Sequence, residues 1–202
     1  QATTFGELIE RYIQEVLPLK RGAKEDGIRL KALLRHGICR HAMSMLTPGK
    51  IATYRDERLR QVSSGTVIRE LAYFSSVINH ARREWGINIA NPVQLVRKPP
   101  TPEGRSRILN PDEKQRLIQA LIPIGRDNFW LKPAVELALE TAMRKGELLS
   151  LRWEHIDLVQ QTAFLPTTKN GDSRTVPLSL EAIRILKELP RSIDGIVFPI
   201  KS

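Results

Sequence analysis

The amino-acid sequence predicts an all-α helical bundle followed by an α+β unit with a small antiparallel sheet. Three observations carry that prediction. Apolar residues recur at helical spacing through the first hundred positions, a proline-rich stretch interrupts them, and beyond Trp153 the apolar period shortens to that of strands. The boundaries read as 1–96 for the bundle, 97–106 for a linker and 107–202 for the second unit. A chain of 202 residues can bury one large or two small cores, and 41% hydrophobic with 27% charged residues excludes wholesale disorder.

The first helix opens on Thr4, whose Thr-x-x-Glu spacing to Glu7 spells a capping box, and Phe5, Leu8, Ile9, Tyr12, Ile13 and Val16 then share one face. Pro18 closes it. A second helix is predicted from Lys24 to Arg40, with Ile28, Leu30, Leu33 and Leu34 apolar and Arg29, Lys31 and Arg35 charged. Thr47-Pro48 is a cap followed by proline at the first helical position, which starts a third helix running to about Val62. Ser63-Ser64-Gly65 breaks it. The fourth helix carries the most regular pattern, Val67, Leu71, Phe74, Ile78, Ala81 and Trp85, and Gly86 stops it.

Residues 97–105 hold three prolines and one glycine, a composition that fixes extended backbone and removes hydrogen-bond donors, so a semi-rigid linker is expected there. Asn110-Pro111-Asp112-Glu113 then starts a helix. A nearly all-apolar helix over Lys132–Thr141 is predicted to be buried. Thr162–Leu165 and Arg174–Val176 read as strands around an Asn170-Gly171 turn. Ser179 caps a last helix through about Leu189, and Ile196-Val197-Phe198 reads as a further strand.

The formal net charge is +10, and it is unevenly placed. Residues 1–98 hold 17 basic against 9 acidic side chains, the remainder 15 against 13. Such an excess is the footprint of a polyanion partner, so the first unit is expected to make phosphate contacts, with double-stranded DNA the polyanion that the resemblance described below implies. Candidate phosphate contacts are Lys24, Arg29, Lys31, Arg35, Arg69, Arg82, Arg83, Arg97 and Lys98. No stretch is long and apolar enough for a membrane span, so no membrane partner is expected. The single cysteine, Cys39, forbids an internal disulfide and points to a reducing, cytoplasmic setting. His36, Cys39 and His41 lack an evident fourth ligand and are read as structural, so neither a metal nor a cofactor is expected. There is no glycine-rich nucleotide loop.

The segment from Leu139 to Trp153 is the most informative. It places Arg144 at a break between two helices, with Glu147 one turn on and able to hold it by hydrogen bonding. This segment resembles the first arginine motif of the tyrosine recombinases, the phage-integrase superfamily, whose pattern is roughly Thr-Gly-Met-Arg-x-x-Glu-Leu-x-x-Leu-x-Trp. Here Ala142 stands in place of the usual glycine. The stretches Glu154–Leu158 and Thr167–Leu178 are similar to that family too, with Lys169 at the position of its hairpin lysine. Phage-type integrases and shufflon-type invertases are the nearest in character.

The resemblance implies a SAM-like core-binding domain over 1–96 and the N-terminal part of a catalytic domain over 107–202. It implies DNA strand cleavage and rejoining through a 3′-phosphotyrosyl intermediate, by a homotetramer on two DNA sites near the nucleoid, with room for accessory DNA-bending proteins. Arg144 would stabilise the transition state, Lys169 would protonate the leaving oxygen, and Glu147 would support them. The family also needs a later His-x-x-Arg, a further His or Trp, and a tyrosine nucleophile. His80-Ala81-Arg82-Arg83 spells the string but precedes Arg144, and after Lys169 there is neither histidine nor tyrosine. With Gln1 in place of Met, the expectation is a piece of a longer enzyme that binds DNA without cleaving it. Two alternatives remain at this point: a non-catalytic DNA-binding regulator with a recombinase-like fold, and a helical protein-interaction module.

Overall fold

A computed structural model describes residues 3–104, 106–122, 129–167 and 171–200. The chain divides into two compact units, Gln1–Arg105 and Ser106–Ser202. In the first, α1 (Phe5–Glu15) begins where the Thr4 amide donates to Glu7 Oε2 at 2.7 Å and the Glu7 amide donates to Thr4 Oγ1 at 3.2 Å. Its apolar face buries Phe5, Leu8, Ile9 and Tyr12. Then follow α2 (Ala23–Leu33), α3 (Pro48–Leu59) and the long α4 (Ser64–Glu84). Phe74 of α4 is fully buried in the core, edge-on to Phe5 at 4.8 Å and 4.8 Å from Tyr54 of α3. Gly86, at φ +65°, turns the chain after α4 in the left-handed region that favours glycine.

The second helix is shorter than its periodicity predicts, ending at Leu33 rather than Arg40. The reason is tertiary. Residues 37–46 form two 3-10 turns that bring the chain back beside the start of α1, where the Phe5 amide donates to the His41 carbonyl and the Met43 amide to the Thr3 carbonyl. Continuing the helix would forfeit those bonds and expose Ile38 and Cys39, which are buried. His36 accepts the Ile38 amide and stacks edge-on against Tyr54, Cys39 Sγ donates to the Leu33 carbonyl, and burial pushes the thiol up to about 11. His41 shares a hydrogen bond with Lys50. Residues 97–104 carry neither helix nor strand, and Arg55 Nη1 donates to the Arg97 carbonyl at 2.8 Å.

In the second unit, α5 (Pro111–Ala120) is capped by Asn110 Oδ1 accepting the Glu113 amide at 2.8 Å. Next come α6 (Leu131–Thr141) and the short α7 (Lys145–Leu149). The strands β1 (Ile156–Asp157), β2 (Thr162–Leu165) and β3 (Arg174–Pro177) form an antiparallel sheet in that order, with Ala163 opposite Val176 and Leu165 opposite Arg174. A last helix, α8 (Leu180–Glu188), starts on Ser179, whose Oγ accepts the Ala182 amide. Leu137, Leu148, Leu151, Leu165, Val176, Leu186, Val197 and Phe198 meet in one core. A mostly helical chain with one small antiparallel sheet is what the sequence predicts.

Two further expectations are corrected. α6 is not buried throughout: Ala134 and Leu137 are, while Leu131 and Leu139 are exposed. Only one face of α6 meets α8, and hydropathy alone does not say how many faces a helix covers. Residues 196–198 are not a strand. They make a single bridge, Arg152 to Ile196, with the Trp153 amide on the Gly195 carbonyl and the Val197 amide on the Leu151 carbonyl, and Pro199 has no amide to extend it. The Asn170 half of the predicted Asn-Gly turn lies outside the described residues; Gly171 is at φ +97°.

Candidate functional site

The chain leaves α6 through Ala142, which sits in the left-handed region at φ +52°, ψ +26°. That conformation crowds a Cβ against the following carbonyl. A glycine would take it without strain. Ala142→Gly is expected to raise stability by about 1 kcal/mol, the left-handed penalty less the added freedom of the unfolded chain. Urea denaturation of the two proteins checks it; a loss of stability would show that the position carries no strain.

The sharp exit after Ala142 buries Met143 and puts Arg144 in extended backbone (φ −70°, ψ +152°) at the head of α7. Its side chain is 57% exposed, whereas that of Glu147 is 4% exposed. One turn into α7, Glu147 Oε2 accepts the Arg144 amide at 2.9 Å and Oε1 accepts Arg144 Nη1 at 2.9 Å. A third bond reaches the same carboxylate from the sheet: Arg174 Nη2, at the first residue of β3, donates to Oε2 at 2.8 Å. Two guanidiniums thus share one buried carboxylate, and the cluster keeps a surplus positive charge at the surface. Charge-assisted bonds of this kind fix geometry as well as lower energy. Sequence reading identified Arg144 and Glu147 and missed Arg174. Its contact spans 27 residues and depends on the register of β3, which leaves no local pattern. Lys169 lies outside the described residues.

The Arg144 amide holds the Glu147 carboxyl below its ordinary value, helped by the side chains of Arg144 and Arg174 and opposed by burial. A carboxyl lowered on folding contributes stability that is complete above its unfolded value of 4.5 and is lost as the pH falls through the lower folded value. The stability difference between the wild type and Glu147→Gln should therefore be constant near neutrality and shrink below about pH 4.5. Urea midpoints measured from pH 7 to pH 3 check this, and a difference that grew on acidification would refute the pairing.

The candidate phosphate contacts of the first unit do not share one surface feature. Arg29, Arg35 and Arg69 line a cleft of about 340 Å³ between α2 and α4, together with Thr66, Tyr73 and Arg58. Arg82 and Arg83 line a second hollow at the end of α4 with Asn79 and Asn88. Lys24 and Lys31 are exposed on α2 and line neither, and Arg97 and Lys98 are exposed in the extended segment. The cleft also contains a group that sequence reading missed. Glu70 of α4 is buried and accepts Arg58 Nη2 at 2.7 Å, Arg58 Nε at 3.0 Å and Tyr54 Oη–H at 2.7 Å. Burial, then the bond to Glu70, pushes the Tyr54 hydroxyl far above its ordinary value. At the other wall, Arg29 donates to Tyr73 Oη, which itself donates to Asp26. Among the described residues no cluster of His, Cys, Asp and Glu is arranged to hold a metal ion, and no helix is long and apolar enough to cross a membrane.

Comparison with known proteins adds an independent finding. Residues 107–201 match the family described as the phage integrase family. A shufflon-specific DNA recombinase of Escherichia coli is 43% identical over 203 residues, covering 96% of this chain and 52% of that protein. A putative integrase/recombinase of Haemophilus influenzae is 36% identical over 209 residues, covering 99% of this chain and 67% of that protein. Among solved structures, a lambda integrase tetramer bound to a Holliday junction superposes with a TM-score of 0.77 at 21% identity, over 97% of this chain and 59% of that one. A Tn1549 transposon integrase in complex with circular intermediate DNA gives 0.68 at 16% identity, over 96% and 70%. The chain spans about half the length of the first of these relatives. With the arginine motif built as described and relatives of this identity along nearly its whole length, the chain belongs to the phage integrase family.

Proposed function

We propose that the protein carrying this sequence is a site-specific DNA recombinase of the tyrosine type, in which residues 1–96 hold DNA and residues 107–202 begin the catalytic domain. The observation that carries this reading is the exposed Arg144 guanidinium, fixed at the head of α7 by a buried carboxylate and with donors to spare. In strand cleavage a tyrosine oxygen bonds to phosphorus and the bond to the 5′ oxygen breaks. Negative charge builds on the nonbridging oxygens, and a permanently charged planar cation stabilises it. Lys169 would give the departing 5′ oxygen its proton. Attack of the freed 5′ hydroxyl of another strand on the phosphotyrosine then rejoins the DNA, in a homotetramer on two sites; the tetramer of lambda integrase bound to a Holliday junction supports that assembly.

The sequence has three tyrosines, all committed within the first unit. Tyr54 is buried on Glu70, Tyr12 is buried, and Tyr73 donates to Asp26. The 202-residue chain is accordingly expected to hold duplex DNA and not to cut it. Its observed affinity should fall with salt at a log–log slope of about −0.9 per phosphate neutralised, with Arg29, Arg35 and Arg69 the first residues to test. On a nicked suicide substrate a full-length protein containing this sequence should form a covalent adduct and the 202-residue chain none. No adduct from the full-length protein would support a non-catalytic regulator instead, and salt-independent or absent duplex binding in a gel shift would support a protein-interaction module.

A further inference from the structure

We propose that Arg174 is a positioning residue for Arg144, acting through the buried carboxylate of Glu147 that both guanidiniums share; the proposal rests on the recombinase reading above. The last torsion of a glutamate side chain is soft, so a carboxylate bonded from one side can swing. Arg144 bonds Glu147 from the head of α7, through its own amide to Oε2 and its Nη1 to Oε1. Arg174 reaches Oε2 from β3, a different element, and completes a bracket around the carboxylate. With Oε2 held from both elements, Oε1 has one position, and with it the Arg144 guanidinium.

The charge count works in the same direction. One carboxylate facing one guanidinium would offset most of the charge that a phosphate is meant to meet. With two cations on one anion, a full positive charge is left over. The two arginine side chains are 57% and 41% exposed, so water screens their mutual repulsion while the carboxylate between them stays dry. Among the described residues the charged groups bonded to Glu147 are Arg144 and Arg174. Glu147 is therefore built into this site from two directions, and Arg174 supplies the one that α7 cannot.

The test is single-turnover cleavage of a suicide substrate by a full-length recombinase carrying this sequence, in a double-mutant cycle. Arg174→Gln is expected to slow cleavage about tenfold while duplex affinity stays within about threefold, and Arg174→Lys, which keeps the charge but not the fork, to recover part of the rate. In an Arg144→Lys background, Arg174→Gln should cost little more, because the residue it positions is already altered. The acid limb of the pH–rate profile should also move to higher pH in Arg174→Gln, since Glu147 loses a cation that favours its ionised form. Losses that add across the cycle, or wild-type cleavage by Arg174→Gln, overturn the positioning role and leave the recombinase reading standing. Wild-type cleavage by an Arg144→Ala enzyme overturns the recombinase reading itself. Should Arg174→Gln fail to fold, Arg174→Lys carries the same cycle.

Discussion

Arg144→Ala is expected to slow strand cleavage at least about a hundredfold in a full-length recombinase carrying this sequence, the effect of losing one preorganised donor to a developing oxyanion, about 3 kcal/mol of barrier. The structure says why the substitution should leave the fold intact. Alanine keeps the backbone amide that bonds Glu147 Oε2, and Arg174 still pairs with the same carboxylate, so the buried charge is not orphaned. The head of α7 therefore keeps its cap, and thermal stability should change by no more than about 1 kcal/mol. Single-turnover cleavage beside a melting curve separates the two effects. A large stability loss with the residual rate fully restored on cooling would mean that Arg144 holds the fold and not the reaction.

Glu70→Ala is expected to destabilise the first unit by about 3 kcal/mol, a large share of the stability of a domain this size. Three donors converge on that carboxylate: two from the Arg58 guanidinium and one from the Tyr54 hydroxyl. The side chains of Glu70 and Arg58 are 11% and 21% exposed, so truncation strands a mostly desolvated cation and a buried hydroxyl together. The loss also opens the wall of the cleft that holds Arg29, Arg35 and Arg69. Denaturant unfolding should show a lower midpoint with an unchanged slope. A cost below about 1 kcal/mol would show that water already satisfies Arg58 and that core packing alone holds α3 on α4.

What the sequence could say by itself is confined to interactions that close within a turn or two of chain. The Thr4–Glu7 and Asn110–Glu113 boxes, the Thr47-Pro48 start and the apolar stripe of α4 are all read from residues three or four apart, and the structure has each of them. The arginine motif was legible for the same reason, since Arg144 and Glu147 lie one helical turn apart. Glu70 gave no such signal. It reads as a polar position in a helix, and only the approach of α3 turns it into a buried anion.

Position after position, the differences arise where a distant segment competes with a local preference. The helical period continues past Leu33, but bonds to residues 3 and 5 outweigh the extra turn. Residues 196–198 are apolar enough for a strand, yet they meet Leu151 and Arg152 across a single bridge. The apolar character of α6 marks it as a core helix, and only the placement of α8 decides which side is covered. The sequence thus determined most of the elements, their caps and the family, and it pointed to Arg144 as the candidate centre of the site, because short-range hydrogen bonding and side-chain period are properties of neighbouring residues. The tertiary structure alone decided which cations share a carboxylate, because Arg174 meets Glu147 only after β3 has paired in register with β2.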